Sequence, residues 1–553
     1  MLKVIPLGGM GRVTQNMFLY EYKDEILILD CGIGFPDVYM PGVDVLIPDY
    51  RYLLKALEQG KRIVGLVFSH GHDDHIAAAP YIVHHLPEFP LFGSPLTARF
   101  AEKRLQDAGL NIPVTTIPGS EIVKLSENFS FQYVTVTHSV PDTRHVVIRT
   151  PEGIVYHGSD FKLDPDPVDN QKTDFELIRK IAAEGVLLMN IDCLRIENDT
   201  RTLSESTVGP ALAEIMAQTK GKYIATIMSS HIHRIQQIID ASVEQGRKIT
   251  FIGRSVEQNV DVALELGKLH MPRGMRVDKR ELNDVPSSKL TVLIAGSQGQ
   301  EGSSLVRAVY GEHQMLHIEQ NDTVVFSADA IPGNEMQYYG AIDELSRNRV
   351  HVMYPAVNKN IHRSGHASLP EQVELLEAVK PQYVMPIGGN DRHRFKFWEL
   401  AANPMGFAAD RVLLPADGEV VGFEQGRPHI TETLNLQPQI VDGLGVGDVG
   451  PVVLADRLAL GQAGMVVIII PKKKGELQLD QMSVVSRGFI FMREATEVVE
   501  YIKEAVATLI SKESNKKPKD DDLERMIEKR IARKLYQIIK REPMIVTEII
   551  QVS

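Results

Sequence analysis

The chain has 553 residues, of which 43% are hydrophobic and 24% charged, a composition typical of globular proteins with more than one core. The net charge of −12 argues against a general nucleic-acid coat, which would be basic, although a local basic channel still permits a nuclease. The two cysteines, Cys31 and Cys193, exclude a disulfide framework, and the apolar run Met465–Ile470 is far shorter than the ~20 residues of a membrane span. Glycines interrupt the N-terminal apolar segment before a signal peptide can form, so we expect a cytoplasmic protein with no membrane partner.

The N-terminal third alternates short β-branched runs with turns and helical segments, which predicts an α/β layered domain. The predicted strands are Ile26–Asp30, Ile63–Phe68, Phe131–Val136 and Gly153–His157. The predicted helices are Tyr50–Glu58 and Pro95–Ala108.

A second α/β region follows, from about Ser204 to Val357. Its predicted strands are Tyr223–Met228, Lys248–Ile252, Leu290–Ala295 and Thr323–Ser327. Beyond it, Gln372–Val379 is a predicted helix and Gln382–Pro386 a predicted strand. The glycines and proline of Gly422–Pro428 predict a break in the chain.

The C-terminal segment has a pattern of its own. Met465–Ile470 predicts a strand, and apolar residues at helical spacing predict helices over Val498–Ile510 and Leu523–Ile539. The charged segment Ser511–Asp522 between them predicts a loop, and Met544–Ile550 a last strand. Together these elements predict a small β/α domain.

Four potential metal ligands are concentrated directly after a predicted strand, in the sequence Phe68-Ser-His-Gly-His-Asp-Asp-His75. His70 and His72 alternate, so that an extended loop can direct both at one ion. Asp74 and His75 are adjacent at the start of a predicted helix and can face a second ion. Imidazole and carboxylate ligands together suit Zn²⁺ or Mn²⁺.

Two further residues complete the predicted cluster. His138 follows the strand Phe131–Val136, and Asp160 follows the strand Gly153–His157. Both lie just past the carboxyl end of a strand, where the sites of α/β proteins are built. A carboxylate such as Asp160 can bridge two cations, and two cations ~3.5–4 Å apart stabilise the transition state of phosphoryl transfer.

The order of the candidate ligands resembles that of the metal ligands in the metallo-β-lactamase superfamily: His-x-His-x-Asp-His, then a distal histidine, then an aspartate. Other segments resemble the ribonuclease J family of β-CASP nucleases along nearly the whole chain. These segments are Pro6–Gly11, Thr137–Asp142, Gly158–Lys162, His231–Gln237, Gly296–Gly299, Ile331–Glu335, His362–Ala367, Val441–Gly450 and Ser486–Phe489.

The resemblance implies an α/β fold class: a metallo-β-lactamase αββα sandwich interrupted by a β-CASP α/β domain, plus a small C-terminal β/α domain. We expect the first domain at 1–203 and its completion at 358–425, with the β-CASP domain at 204–357. A linker is expected at 426–440 and the C-terminal domain at 441–553.

The resemblance also implies a metal-dependent ribonuclease of RNA processing and decay. The implied activity is 5′-to-3′ exonuclease, often combined with endonuclease activity, on 5′-monophosphorylated single strands. The implied cofactors are two divalent ions, Zn²⁺ or alternatively Mn²⁺. The implied assembly is a homodimer or homotetramer, and a paralogous subunit is a further candidate partner. We expect residues from Val441 onward to serve assembly rather than chemistry.

Further site residues follow from the resemblance. Asp192 matches the first acidic β-CASP motif, with an expected role in proton handling beside the metals, and His366 is expected to contact the scissile phosphate. The residues expected to bind RNA are His231, His233, Arg234, Ser297, His362, Arg363, Ser364, Gly365 and Ala367. Glycine at 365 would let backbone N–H groups approach a phosphate.

One departure from the family stands out. In Pro386-Ile-Gly-Gly-Asn-Asp-Arg-His393, Gly388 stands where the family has a histidine that ligates the second metal. His393 follows five residues later, too far along the chain for a simple replacement. We therefore expect a weaker second site. The alternative hypothesis is a catalytically weakened RNA-binding or assembly subunit that works beside an active partner.

Overall fold

The computed structural model describes residues 1–331, 333–437, 439–443, 445–489, 496–513 and 518–552. Three of the segments named above, Ile331–Glu335, Val441–Gly450 and the loop Ser511–Asp522, include residues outside these ranges. Every predicted strand and helix overlaps an observed element of the same type.

The first part of the chain supplies strands and helices up to residue 192. The strands are β1 (Leu2–Gly8), β2 (Met17–Tyr22), β3 (Glu25–Leu29), β4 (Val45–Ile47), β5 (Arg62–Val67), β6 (Leu91–Gly93), β7 (Val114–Thr116), β8 (Ile122–Lys124), β9 (Ser130–Thr135), β10 (Arg144–Thr150), β11 (Gly153–Gly158) and β12 (Val186–Asp192). The helices are α1 (Arg51–Glu58), α2 (Asp73–Ile76), α3 (Ala79–Ile82), α4 (Pro95–Asp107) and α5 (Phe175–Glu184).

A middle segment follows, and the chain then returns to the first fold. The middle elements are α6 (Val208–Gln218), β13 (Tyr223–Thr226), α7 (Ile232–Glu244), β14 (Lys248–Ile252), α8 (Arg254–Glu265), β15 (Leu290–Ile294), α9 (Ser304–Val309), β16 (Thr323–Phe326), α10 (Glu335–Arg347) and β17 (His351–Met353). The returning elements are α11 (Leu369–Val379), β18 (Tyr383–Ile387), α12 (Asp391–Phe397), β19 (Glu419–Glu424) and β20 (Arg427–Thr433).

Two sheets face each other in the first fold. One has eight strands in the order β20-β19-β1-β2-β3-β5-β6-β7, and the other has six in the order β18-β12-β11-β10-β9-β8. Buried side chains of both sheets, among them Phe18 and Tyr133, form the core between them. A second core lies between the six-stranded sheet and its helices, for example at Ile178 of α5 and Leu375 of α11. The αββα sandwich expected from the sequence is thereby confirmed.

The strand pairing explains how the middle segment is an insertion. β12, before the insertion, and β18, after it, are adjacent parallel strands, with Asp192 in register with Ile387. The inserted elements form their own five-stranded parallel sheet, in the order β14-β15-β13-β16-β17, with its own buried core. The insertion begins after Asp192 at the carboxyl end of β12. The returning segment places His366 2.7 Å from Asp192 and then passes through α11 into β18.

The predicted linker at 426–440 differs from the structure. β20 occupies Arg427–Thr433 and pairs antiparallel with β19, so this hairpin forms the edge of the eight-stranded sheet. Gly426, with φ of +76°, makes the turn between the two strands. A proline on the outer strand is tolerated because an edge strand need not donate every backbone N–H. Glycine and proline here therefore mark a hairpin within the domain and not its end.

Residues Ile440–Ser553, together with Pro36–Val45, form a separate compact unit. Its elements are β21 (Gln439–Asp442), β22 (Gly445–Val446), α13 (Pro451–Ala463), β23 (Met465–Lys473), β24 (Glu476–Leu477), β25 (Ser483–Arg487), α14 (Thr496–Glu513), α15 (Asp520–Ile539) and β26 (Met544–Val552). Strand β23 pairs with β25 and β26, and apolar side chains of α14 and α15 pack on the sheet. Among the described residues, no helix has the length and apolar character that a membrane crossing requires.

The free edge of β26 is covered by its neighbouring helix. Glu528 of α15 accepts a hydrogen bond from the backbone N–H of Thr547 at 2.9 Å, and Glu524 accepts one from that of Ile549 at 2.7 Å. These carboxylates occupy backbone donors that an additional strand would otherwise pair with.

The buried guanidinium of Arg234 connects parts of the insertion with the returning chain. Arg234, 1% exposed at the start of α7, donates to Glu205 through Nε at 2.9 Å and Nη2 at 2.7 Å. The same guanidinium donates to the carbonyls of Ser327 at 2.6 Å and Arg363 at 3.2 Å. It also lies 2.8 Å from Nδ1 of His362. One planar group therefore joins three segments that are distant in sequence.

We expect Arg234→Met to destabilise the protein by about 3–5 kcal/mol, because the buried carboxylate of Glu205 is left without its partner. The measurement is the denaturant midpoint of the full chain. Arg201→Met is the matched control, since Arg201 pairs with Glu374 at the surface and such pairs contribute at most about 1 kcal/mol. Equal midpoints for the two variants would contradict the assignment of a structural role to Arg234.

Candidate metal centre

Four side chains meet where strands of the two sheets end. His70 and His72 lie on the loop after β5, His138 on the loop after β9, and Asp160 just after β11. His72 Nδ1 lies 3.1 Å from His70 Nε2 and 3.2 Å from His138 Nε2. One ligand atom from each of the four residues lies within 4.8 Å of the others. These residues form the first group of potential ligands.

A second group shares Asp160 with the first. Asp74 and His75 lie in the short helix α2, and His75 Nε2 lies 3.6 Å from Asp160 Oδ2 and 3.7 Å from Asp74 Oδ2. On the other side, Asp160 Oδ2 is 3.6 Å from His70 Nε2 and 3.7 Å from His138 Nε2. The six ligands predicted from the sequence are thus brought together, with Asp160 as the corner common to both groups.

The outer hydrogen bonds of the histidines set which nitrogen faces the centre. His138 Nδ1 lies 2.6 Å from the carbonyl of Gly365, which can only accept, so Nδ1 carries the proton. His70 Nδ1 lies 3.0 Å from the Ser69 hydroxyl, whose own proton goes to a carboxylate of Asp30. Both rings therefore turn an unprotonated Nε2 inward, the arrangement found in metal-binding histidines. His70 Nε2 and His138 Nε2 lie 3.1 Å and 3.2 Å from His72 Nδ1. Ring nitrogens this close repel each other unless a proton or a cation lies between them, so the residues fit a divalent cation.

The electrostatics of the cluster are consistent with this. Burial lowers the pKa of His72 to about 3 and holds the pKa of His70 and His138 well below its usual range. Burial would also lower the pKa of His75, but nearby carboxylates, that of Asp160 first, raise it above its usual value. Burial raises the pKa of Asp160, yet the surrounding imidazoles, His75 first, hold it well below its usual range. Asp160 is therefore ionised, and a bound cation would replace positive charge that His75 supplies.

Asp30 is a residue that the sequence analysis missed. Its carboxylate lies 2.7 Å from His75 Nδ1, and it accepts hydrogen bonds of 2.7 Å from both the backbone N–H and the hydroxyl of Ser69. It is 1% exposed and has a positive φ of 58°. It thus orients ligands of both groups. The available signal was an aspartate that ends an apolar strand, Ile26–Asp30.

Asp192 and His366 form a pair beside the two groups. His366 Nδ1 lies 2.7 Å from Asp192 Oδ2, and its Nε2 faces Asp160 Oδ2 at 3.9 Å. Burial would lower the pKa of His366, but Asp192 and Asp160 raise it to about 9. Gly365, next to it, is in close contact with the centre, since a Cβ there would lie 2.8 Å from His138 Cε1. Both predicted catalytic residues therefore adjoin the ligand cluster.

The backbone at Gly388 borders the same space. A Cβ at this position would lie 3.5 Å from Asp192 Oδ1 and 3.9 Å from Asp160 Oδ1, at ordinary contact distance. His393 does not reach there: its Nδ1 accepts from the backbone N–H of Asn390 at 3.2 Å, and its Nε2 faces Glu197 Oε2 at 3.7 Å. The structure therefore gives no imidazole from this segment to the cluster.

The residues predicted to bind RNA are found in different surroundings. Gly365 adjoins the cluster, whereas Arg234 lies in the interior with its guanidinium engaged by protein groups. The remaining predicted polar residues of this set are half-buried or buried, namely His231, His233, Ser297, His362 and Arg363.

Ala367 requires a correction. Its side chain is fully buried in the core beside α11, and its carbonyl accepts from Gln372 Nε2 at 2.9 Å. Neither group is free to bind RNA.

Comparison with known proteins agrees with this architecture. Three family models match the chain. The model described as "Metallo-beta-lactamase superfamily" matches residues 10–164, the model described as "Ribonuclease J, beta-CASP domain" matches residues 220–345, and the model described as "Ribonuclease J C-terminal domain" matches residues 452–552. A crystal structure of a protein of unknown function from Enterococcus faecalis shares the fold, with a TM-score of 0.54 at 15% identity, over 76% of this chain and 99% of that one.

Relatives match along the whole length. Ribonuclease J 1 of Streptococcus pyogenes is 32% identical over 98% of this chain and 96% of its own. Ribonuclease J of Thermus thermophilus is 34% identical over 100% of this chain and 95% of its own, and Ribonuclease J2 of Bacillus subtilis is 30% identical over 100% and 99%. The chain therefore belongs to the ribonuclease J family of the metallo-β-lactamase superfamily.

Proposed function

We propose that the protein is a metal-dependent ribonuclease that acts in RNA processing and decay. The observation that carries this proposal is the carboxylate of Asp160, which lies within 3.7 Å of imidazole nitrogens from both ligand groups. Two divalent cations bound there, Zn²⁺ or Mn²⁺, supply activation of water and neutralisation of charge on a phosphodiester. His70, His72 and His138 would hold one cation with Asp160, and Asp74 and His75 would hold the other.

The chain's own groups then bind the substrate and handle protons. His366 is fixed by Asp192 through Nδ1, so its Nε2 is the atom available to a phosphate oxygen beside the cluster. Ser364 and Gly365 precede it on an irregular segment, and Gly365 has no side chain that would obstruct an approaching phosphate. Asp192, buried and coupled to His366, is the group through which a proton can pass to or from that histidine.

We propose that this activity is that of a 5′-to-3′ exonuclease that prefers 5′-monophosphorylated single strands. Its support is the resemblance of His362–Ala367 to the family's phosphate-binding segment, together with the turn Gly296–Gly299, whose two glycines have positive φ. Assembly as a homodimer or homotetramer through the C-terminal unit, and a cytoplasmic location, belong to the same proposal.

The alternative is a weakened subunit that binds RNA beside an active paralogous partner. Gly388 favours it, because the backbone there borders Asp160 and Asp192 but contributes no ligand. The six other ligands of the two groups are all present and mutually close, which favours an active enzyme.

We expect His72→Ala to reduce RNA hydrolysis to less than about one per cent of the wild-type rate, because Nδ1 of His72 faces both other histidines of the first group. Cleavage of a labelled RNA in single turnover is the measurement, with metal content determined on the same samples. His85→Ala, a change of an exposed histidine outside the cluster, is the control. Substantial cleavage by His72→Ala with unchanged metal content would be inconsistent with a ligand role.

We expect 5′-monophosphorylated RNA to be degraded faster than the same RNA with a 5′-hydroxyl. The rates of both substrates are compared at one salt concentration, because phosphate contacts weaken as salt rises. An internally cleaved product pattern, independent of the 5′ group, would instead indicate endonuclease activity. Equal degradation rates for the 5′-monophosphorylated and the 5′-hydroxyl RNA would refute the preference.

We expect Gly388→His to tighten binding of the second cation by about 10–100-fold, because it restores an imidazole next to Asp160. The backbone at 388 has φ of +66°, a conformation that histidine and asparagine tolerate better than most residues. Gly388→Asn is therefore the matched control, with the same backbone demand but no imidazole. Titration with Mn²⁺ gives the affinities, and an unchanged second affinity in Gly388→His would show that the wild type already has another ligand.

A further inference from the structure

Helix α15 of the C-terminal unit has its acidic and basic side chains on different sides. Its apolar side chains are buried in the core of the unit, namely Leu523, Ile527, Ile531 and Leu535. Glu524 and Glu528 are half-buried and accept hydrogen bonds from the backbone of β26. The other acidic residues of the helix, Asp520–Asp522, lie in its first turn. The side that faces away from the core beyond the first turn is therefore basic.

Three exposed cations follow one another along this outer side. Arg525, Lys529 and Arg533 are spaced four residues apart, so they lie on one side of the helix with a rise of about 6 Å between successive residues. Within the part of the chain that the structure describes, none of the three side chains forms an ion pair or a hydrogen bond. Although the whole chain has a net charge of −12, this side of α15 presents three uncompensated positive charges to solvent.

An exposed aromatic ring continues the same series. Tyr536 follows Arg533 by three residues, and 51% of its surface is exposed. Lys540, four residues further on, has its ammonium 5.7 Å from the centre of that ring. Cations combined with an exposed ring are a means of binding single-stranded nucleic acid, because the cations attract phosphates and the ring stacks on a base. We call these five residues, Arg525, Lys529, Arg533, Tyr536 and Lys540, the basic row.

The charges and the ring of the basic row fit other occupants less well. A symmetric contact with a second copy of the chain would place like charges opposite each other. Insertion into a lipid surface requires a free apolar face on the helix, whereas the apolar face of α15 is packed in the core. An RNA strand supplies both the negative charges and the flat rings that the row can bind.

Resting on the proposed ribonuclease function, we propose that the basic row is a binding surface for single-stranded RNA. Its residues belong to the C-terminal unit, whereas the proposed metal ligands all belong to the other compact unit. The row therefore adds affinity for the strand and takes no part in the cleavage step. Because it contacts phosphates and the face of a base, its binding is independent of base sequence.

The test compares the affinity of the full chain and its variants for a labelled single-stranded phosphorothioate RNA, which resists hydrolysis, by fluorescence anisotropy at several salt concentrations. The row variant carries Arg525→Gln, Lys529→Gln and Arg533→Gln. We expect it to bind roughly 10–100-fold more weakly near 0.1 M salt, with the slope of log affinity against log salt reduced in magnitude by about 2. Replacement of the two arginines by lysine should retain most of the affinity, since the charges remain.

The matched control removes three positive charges elsewhere. Lys55, Lys124 and Lys220 are exposed residues on separate elements of the other unit, and their joint replacement by Gln changes the net charge by the same amount. We expect this control to keep the wild-type affinity and salt slope. At the ring, Tyr536→Phe should bind as the wild type does, whereas Tyr536→Ala should lose about tenfold because stacking is removed.

A second measurement on the wild type does not depend on the folding of any variant. RNA that contains 4-thiouridine is crosslinked to the full chain by light, and the modified peptides are identified by mass spectrometry. We expect crosslinks within residues 520–541 in addition to those near the metal cluster. Crosslinks confined to residues 1–439 would overturn the proposal. Circular dichroism of the row variant reports whether its fold is kept.

The remaining outcomes also separate the alternatives. Equal affinities and salt slopes for the row variant and the control would overturn the proposal. A changed sedimentation coefficient of the row variant with unchanged RNA affinity would overturn it in favour of a subunit contact, and row-dependent binding to anionic phospholipid vesicles but not to RNA would overturn it in favour of a lipid surface. RNA cleavage by the wild type in any of these cases leaves the proposed function standing. Absence of cleavage with every divalent cation, despite row-dependent RNA binding, would contradict the proposed function and support the proposal for the row.

Discussion

The arrangement of the site depends on one carboxylate surrounded by imidazoles. Asp160 lies within 4 Å of nitrogens from His70, His75, His138 and His366, which come from three separate segments of the chain. Its negative charge stabilises the positive charge on His75 and His366, and theirs keeps it ionised despite burial. Each of these segments must therefore end at the same point in space, and the two sheets provide that point.

The sheets achieve this through the ends of their strands. β5 of one sheet and β9 and β11 of the other direct their following loops to one edge of the sandwich, and β12 and β18 add Asp192 and Gly388 there. The hydrogen bonds around the cluster then orient individual rings, as Asp30 does for His75 and the Gly365 carbonyl for His138. Because Gly365 belongs to the segment that returns from the insertion, the position of the inserted domain and the geometry of the ligands are coupled.

Much of this could be predicted from the sequence, for identifiable physical reasons. The sequence alone indicated a shared site, because His70 and His72 alternate on an extended loop and His138 and Asp160 follow predicted strands. The hydrophobic periods located the strands and helices to within a few residues. Asp30 and Glu205 were missed, because an isolated acidic residue carries no pattern that distinguishes a buried partner from a solvated one. Arg234 was assigned to RNA because its segment resembles that of the family, and only tertiary contacts reveal its partner Glu205. The β19–β20 hairpin was read as a break because glycine and proline are common to turns and linkers.

The central claim is that Asp160 is shared by two cations, and anomalous X-ray diffraction from crystals grown with Mn²⁺ tests it most directly. The account predicts two anomalous peaks about 3.5–4 Å apart, both in contact with Asp160. The stronger peak should lie against His70, His72 and His138, and the weaker one on the side of Gly388. A single peak out of contact with Asp160, or none among these side chains at saturating Mn²⁺, would contradict the account.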